Sequence, residues 1–155
     1  MKRSFRRCAL AAVAAMLASG GMAATAEAEE NSASTVVDTG GIAAGMADCP
    51  AGNFCAWDNY NFSGGPGVWS GNASNYTRWA HSGCGLTSLW TWDNCASSVY
   101  NHGDHCNLTF YDGIEYTGAY YNLPRGSYLA RLTQDKMSDG GNANDRISSH
   151  RWCTF

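Results

Sequence analysis

The feature that most restricts how this 155-residue chain can fold is an internal repeat of two different motifs. Trp57-Asp-Asn-Tyr-Asn-Phe62-Ser-Gly64 sets two aromatics around four residues and adds a glycine two places on; Tyr111-Asp-Gly-Ile-Glu-Tyr116-Thr-Gly118 repeats that spacing 54 residues later. Asp93-Asn94-Cys95-Ala96-Ser97-Ser98 recurs as Asn144-Asp145-Arg146-Ile147-Ser148-Ser149, 51 residues later. Two motifs recurring in the same order at nearly one period describe a single domain, 48–155, built of homologous halves at about 49–102 and 103–155. Between the motifs, short aromatic and β-branched runs are broken by Gly, Asn, Asp and Ser at roughly eight- to twelve-residue intervals, the texture of an all-β sandwich or barrel. Helical periodicity is absent, apart from one short turn expected within Ser74–Ala80.

The first 28 residues read as a secretory signal. Lys2, Arg3, Arg6 and Arg7 precede an apolar, alanine-rich run from Cys8 to about Met22, and Ala26-Glu27-Ala28 fits a small-x-small cleavage site. The run falls short of the roughly 20 residues of a membrane span. The protein is therefore expected to be secreted, with no membrane attachment once the signal is cleaved, and 29–47 is expected to be a flexible leader. Cleavage after Ala28 leaves six basic against twelve acidic residues, a net charge of −6. That balance argues against nucleic acid as a partner.

Six cysteines remain in the mature chain: Cys49, Cys55, Cys84, Cys95, Cys106 and Cys153. An even count in a small exported domain signals a disulfide framework, with 15 possible pairings that spacing does not resolve. The rival, a zinc site drawing on His81, His102, His105 or His150, is disfavoured because no C-x-x-C pair occurs.

Each repeated motif has a physical task. The aromatic–glycine element suits a strand folding over into a hairpin, with two rings packing across the bend and glycine taking a backbone angle other residues avoid. The second element puts two carboxylates or amides and two hydroxyls within six residues at a loop-to-strand junction. Oxygen-only donors of this kind suit a hard cation, calcium before magnesium; the alternative is an Asx or Ser turn that only caps the strand. No catalytic pattern is present: nucleophile elbow, His-Glu-x-x-His and phosphate loop are all missing. Glu115 is the single glutamate after the leader, which leaves a paired-carboxylate glycosidase without its usual acids. The protein is read as a non-enzyme.

The aromatic-x4-aromatic-x-Gly hairpin, paired with N/D-N/D-x-x-S/T-S in both halves, resembles the βγ-crystallin Greek-key motif with its calcium-binding signature. The opening Cys49-Pro-Ala-Gly-Asn-Phe-Cys55, the secretory leader and the two-motif domain resemble the actinobacterial metalloproteinase-inhibitor family of small secreted peptidase inhibitors. The resemblance implies a βγ-crystallin-like sandwich of two Greek-key motifs, with the third strand of each motif exchanged between two sheets. It also implies the bridges Cys106–Cys153, Cys84–Cys95 and Cys49–Cys55.

It implies further that about two calcium ions bind, each loop working with a hydroxyl from the other half and a backbone carbonyl from a hairpin. The positions are Asp93 with Asn94, Asn144 with Asp145, the hydroxyls of Ser97 and Ser148, and the hairpin residues Asp58 and Asp112. The implied partner is a secreted peptidase, and a monomer is the expected assembly. An inhibitor needs a loop held rigid in advance of docking. Leu86-Thr-Ser-Leu89-Trp90-Thr-Trp92, inside the implied Cys84–Cys95 ring, is the candidate, with Leu86, Leu89, Trp90 and Trp92 as pocket-filling side chains. The opposing expectation is that Leu89, Trp90 and Trp92 form the inward face of a strand. The competing functions are an extracellular calcium-binding module, acting through stability or surface binding without inhibition, and a killer-toxin-like protein of the same fold.

Overall fold

A computed structural model describes residues 44–84 and 90–154. The signal sequence and residues 29–43 of the expected leader lie outside the described residues. Among those described, seven strands form two antiparallel sheets, and helical structure is confined to short 3-10 turns. The strands are β1 (Asn53–Trp57), β2 (Gly67–Trp69), β3 (Ser98–His102), β4 (Leu108–Tyr111), β5 (Tyr120–Leu123), β6 (Tyr128–Leu129) and β7 (Ser149–Trp152). One sheet runs β2-β1-β3-β6 and the other β5-β4-β7.

The order contains a strand exchange. β6 comes from the second half but pairs with β3 of the first, aligning Val99 with Leu129. In return Ala73 of the first half bridges His150 on β7, through Ala73 N–H to His150 O at 3.0 Å and His150 N–H to Ala73 O at 2.9 Å. Each half thus completes the other's sheet, so neither half carries its own full set of ladder hydrogen bonds.

Alternation along β1 explains the two apolar clusters. Phe54 and Ala56 join Trp69, Val99, Leu108, Phe110, Leu123 and Ile147 in the main core. Cys55 and Trp57, pointing to the opposite face, pack with Met46, Cys49 and Phe62. That second cluster corrects the expected boundary of the leader. Ala44–Asp48 forms a 3-10 turn and Met46 is buried, so the domain begins at least four residues before position 48. Its apolar payload was hidden among alanines and glycines with no period to mark it.

Both aromatic–glycine motifs are hairpin bends of the same shape. The rings of Trp57 and Phe62 meet edge to face at 5.2 Å between centroids, and those of Tyr111 and Tyr116 at 6.0 Å. Asn61 and Phe62, and their counterparts Glu115 and Tyr116, all have left-handed φ between 54° and 61°. Gly64 and Gly118 have positive φ as well, and each leaves the space that a Cβ would fill to the carboxylate of Asp58 or Asp112. The glycines are needed for close approach as much as for backbone freedom.

Candidate functional site

The two repeated loops lie back to back and hold each other. Asn94 N–H donates to Ile147 O at 3.0 Å, and Asp145 N–H donates to Ala96 O at 3.0 Å. Asn94 and Asp145, the second residue of each loop, both adopt left-handed φ, a conformation that Asn and Asp tolerate best among side-chain-bearing residues. The fifth residues then enter the strands: Ser97 N–H bonds Trp57 O at 2.8 Å, and Ser148 N–H bonds Tyr111 O at 2.9 Å.

The oxygen-bearing side chains divide into three groups. The sixth-position serines are structural. Ser98 Oγ donates to Asn59 O at 2.7 Å and accepts from Phe62 N–H, while Ser149 Oγ donates to Gly113 O at 2.6 Å and accepts from Tyr116 N–H. Each serine clamps the hairpin bend of its own half, a role that its place in an oxygen-rich run concealed.

The second group is the hairpin acids. Asp58 faces His81 Nε2 at 3.2 Å and Asn59 Nδ2 at 2.9 Å. Asp112 accepts from Ala119 N–H at 2.7 Å and from the Arg146 guanidinium. Both carboxylates are thus already engaged within the protein.

The third group carries the loop chemistry. Asp93 Oδ2 accepts from Asn94 Nδ2 at 3.0 Å, and Asn144 Nδ2 donates to Asp145 Oδ2 at 2.6 Å. The remaining oxygens, Asp93 Oδ1 and Asn144 Oδ1, are buried without a hydrogen-bond partner. A buried acceptor left this way costs about 1–3 kcal/mol. The two occupy equivalent positions of the repeat. Ser148 Oγ reaches across the halves to Asn94 Oδ1 at 3.4 Å, and Ser97 and Ser148 are both buried beside these loops. Burial pushes the Asp145 carboxyl above its ordinary range. Orphaned oxygens and a desolvated carboxylate form a donor set that fits a hard cation.

All three disulfides join the pairs implied by the resemblance: Cys49–Cys55, Cys84–Cys95 and Cys106–Cys153, with Cα separations of 5.8, 5.5 and 5.2 Å. His81, Cys84 and Cys95 bring metal-ligand atoms within 4.8 Å of one another. Both sulfurs are spent in a disulfide, so the cluster lacks the thiolates a zinc site needs.

The candidate inhibitory segment separates sharply. Leu86 and Leu89 lie outside the described residues. Trp90 is 61% exposed with φ of 48°. Trp92 is a correction: it is buried at 5% exposure, stacked on His81 at 3.9 Å and set edge-on against Trp69, so it belongs to the core and is closed to a partner. Trp90 and Trp92 alternate across a short ribbon in which Ala80 bridges Thr91. Alternation along a strand sends one ring out and the other in.

Residues 42–123 match the model of peptidase inhibitor family I36. The chain belongs to that family. Its fold is that of the βγ-crystallins: a structure described as "Evolution of the eye lens beta-gamma-crystallin domain fold" superposes with a TM-score of 0.50 at 24% identity, covering 69% of this chain and 91% of that one. Spherulin 3a from Physarum polycephalum is also similar, with a TM-score of 0.46 at 24% identity over 68% of this chain and 87% of that chain. So is a βγ-crystallin from an archaeon, at 0.44 and 18% identity over 66% and 99%. Among curated proteins no match is found. Membership of an inhibitor family points to a peptidase as partner and to a binding protein rather than a catalyst. Three disulfides accord with an extracellular setting, and among the described residues no helix is long and apolar enough to cross a membrane.

Proposed function

We propose that the mature domain is a secreted inhibitor of metallopeptidases, resting on a βγ-crystallin-like frame that about two calcium ions stabilise. The family match over residues 42–123 carries the inhibitor reading. The physical means is a surface prepared before docking. Trp90 projects from a ribbon whose flanks are tied by Cys84–Cys95, by His81 N–H to Trp90 O at 2.8 Å and by Trp92 N–H to Trp79 O at 3.0 Å. An exposed tryptophan on a fixed backbone surrenders little conformational freedom on binding and supplies a large contact area. Blocking a peptidase this way requires no chemical step by the inhibitor.

Calcium enters through the chain's own donors. Asp93 with Asn94 and Asn144 with Asp145 supply side-chain oxygens, Ser97 and Ser148 supply hydroxyls across the halves, and Asp58 and Asp112 supply main-chain carbonyls. A bound ion would neutralise the buried oxygens and tie one half to the other. The calcium-binding module without inhibition is a second reading, favoured by the paired orphan oxygens of Asp93 and Asn144.

Titrating the purified domain at micromolar concentration against a panel of secreted metallo- and serine peptidases separates the two. Dose-dependent loss of metallopeptidase activity, weakened at least tenfold by Trp90→Ala, is the expected outcome (about 1.4 kcal/mol). Activity unchanged across the panel sinks the inhibitor reading and leaves the module.

A further inference from the structure

Away from the repeated loops and from Trp90, a cavity of about 320 Å³ opens at the seam between the halves. Its walls are Ser70–Asn72 from the first half, the connection Gly103–Cys106, and Trp152 with Cys153 at the end of β7. That volume lies at the small end of the roughly 300–1,000 Å³ typical of small-molecule sites.

The walls are built rather than incidental. Asn101 is fully buried, and its side chain ties the connection from beneath. Nδ2 donates to Leu123 O at 3.0 Å and Cys106 O at 3.3 Å, and Oδ1 accepts from Gly103 N–H at 3.0 Å. The opposite wall hangs on Gly71 O, which accepts from Trp152 Nε1 at 3.2 Å and from the fully buried His150 Nε2 at 2.8 Å. Asn72 Oδ1 accepts from Trp152 N–H at 2.8 Å, and Cys106–Cys153 closes the end. With its connection, its Gly71–Asn72 wall and Trp152 held by these bonds, the backbone of the cavity keeps its shape without a ligand, which lowers the cost of binding one.

We propose that this cavity binds a single neutral pyranose unit, free or at the end of a glycan. The lining brings Trp152 together with a few polar residues, Asp104, His105, Ser70 and Asn72, while the bare backbone at Gly103 lets the Trp152 ring approach and that at Gly52 lets the Asp104 carboxylate approach. A pyranose presents the matching chemistry: a face of C–H bonds for an aromatic ring and equatorial hydroxyls for a carboxylate to accept from. The lining holds no lysine or arginine, which disfavours an anion. Binding here is independent of peptidase inhibition, because Trp90 takes no part in the cavity.

Two variants test it without touching the anchors. Gly71 lies outside the left-handed region and a Cβ there meets no atom within 4 Å, so Gly71→Leu adds bulk while keeping the carbonyl. Asp104→Ala removes the carboxylate, while the carbonyl that Arg125 binds at 2.8 Å remains. The probes are the methyl glycosides of glucose, galactose, mannose and N-acetylglucosamine, with butylamine and inorganic phosphate as charged competitors. The readout is the indole N–H resonance of Trp152 with the amides of Gly71 and Gly103.

The expected result is saturable shifts at these positions with at least one glycoside, at a millimolar-range dissociation constant. That constant should rise at least tenfold in Gly71→Leu and several-fold in Asp104→Ala, with the other resonances unmoved. Should Gly71→Leu not fold, Asp104→Ala decides alone. No saturable shift with any glycoside, a stronger response to butylamine or phosphate, or shifts that survive in the variants would overturn the proposal.

Discussion

Cys95 and Arg146 occupy the same place in the two repeated loops, and they fasten those loops by different physics. Cys95 is bonded covalently to Cys84, three residues beyond the His81 that faces Asp58. Arg146 reaches the equivalent acid, Asp112, and also Asp139 at 2.7 Å. In each half the loop is therefore tied to the neighbourhood of its own hairpin acid. The fold requires the tie and leaves its chemistry open. A disulfide works chiefly by restricting the unfolded chain and is indifferent to salt, whereas an exposed ion pair acts in the folded state and is screened.

The sharpest way to expose the interdependence of the halves is acid. His150 belongs to the second half, but its side-chain hydrogen bonds go to the first: Nδ1 accepts from the Tyr76 hydroxyl at 2.6 Å and Nε2–H donates to Gly71 O at 2.8 Å. Full burial pushes its pKa down to about 3, and the hydrogen bond to Gly71 offsets this only in part. The unfolded chain takes up a proton near pH 6.5 that the folded protein refuses until about pH 3. Stability is therefore intact above pH 6.5 and declines as pH falls through that window, by about 1.4 kcal/mol per pH unit. Urea unfolding at a series of pH values from 7 to 4 should show this slope, and His150→Gln should flatten it. An equal slope in the variant would remove His150 as the cause.

Opening the covalent tie should have the next largest effect. Replacing Cys84 and Cys95 together by alanine should lower stability by about 3 kcal/mol, the chain-entropy value for so short a ring. The loss should be the same in low and high salt. Thermal or chemical unfolding that shows less than about 1 kcal/mol would mean that hydrogen bonds already hold this loop in the unfolded ensemble's place.

Calcium addresses what the two loops share. At about a hundred times its dissociation constant, the ion should raise stability by about 2.7 kcal/mol for each site. Changing Ser97 and Ser148 together to alanine should remove most of that increment while leaving the metal-free fold in place. An identical melting temperature in calcium and in chelator would reduce both loops to strand-capping turns.

Much of this was legible because a repeat constrains two places at once. The hairpins at 57–64 and 111–118 and the loops at 93–98 and 144–149 follow from motifs that recur, whereas the exchanged sheet order came from the family resemblance those motifs carry. What was not legible lacked either repetition or period. The turn at Ala44–Asp48 buries one methionine among small residues. Ser98 and Ser149 counted only as the second hydroxyl of each oxygen-rich motif, because composition does not say which way a hydroxyl points or that these two clamp the hairpins. Trp90 and Trp92 are the same residue type two places apart, and only the pairing of Ala80 with Thr91 decides that one is exposed and the other core. Asn101 and His150 pass for ordinary strand polars until the elements they hydrogen-bond are brought together from 22 and 79 residues away.

The ionic tie should yield the smallest effect, and its dependence on salt is more informative than its size. The Arg146 guanidinium donates to Asp112, to Asp139 and to Asn142 O at 3.2 Å, and these bonds hold the Asp139 carboxyl below its ordinary range and raise the guanidinium above its own. Arg146 and Asp112 are half-buried at the surface and Asp139 is exposed, so solvent still screens the group, and surface pairs in general contribute about 0.2–1 kcal/mol. Arg146→Met keeps the aliphatic stem and removes the charge. It should cost about 1 kcal/mol or less in low salt, and the difference from wild type should shrink as salt screens the pairs that only wild type retains. The Cys84/Cys95 double variant should show no such convergence. A loss of several kcal/mol from Arg146→Met, unchanged in high salt, would place Arg146 in the same class as the disulfide and erase the contrast between the two loops.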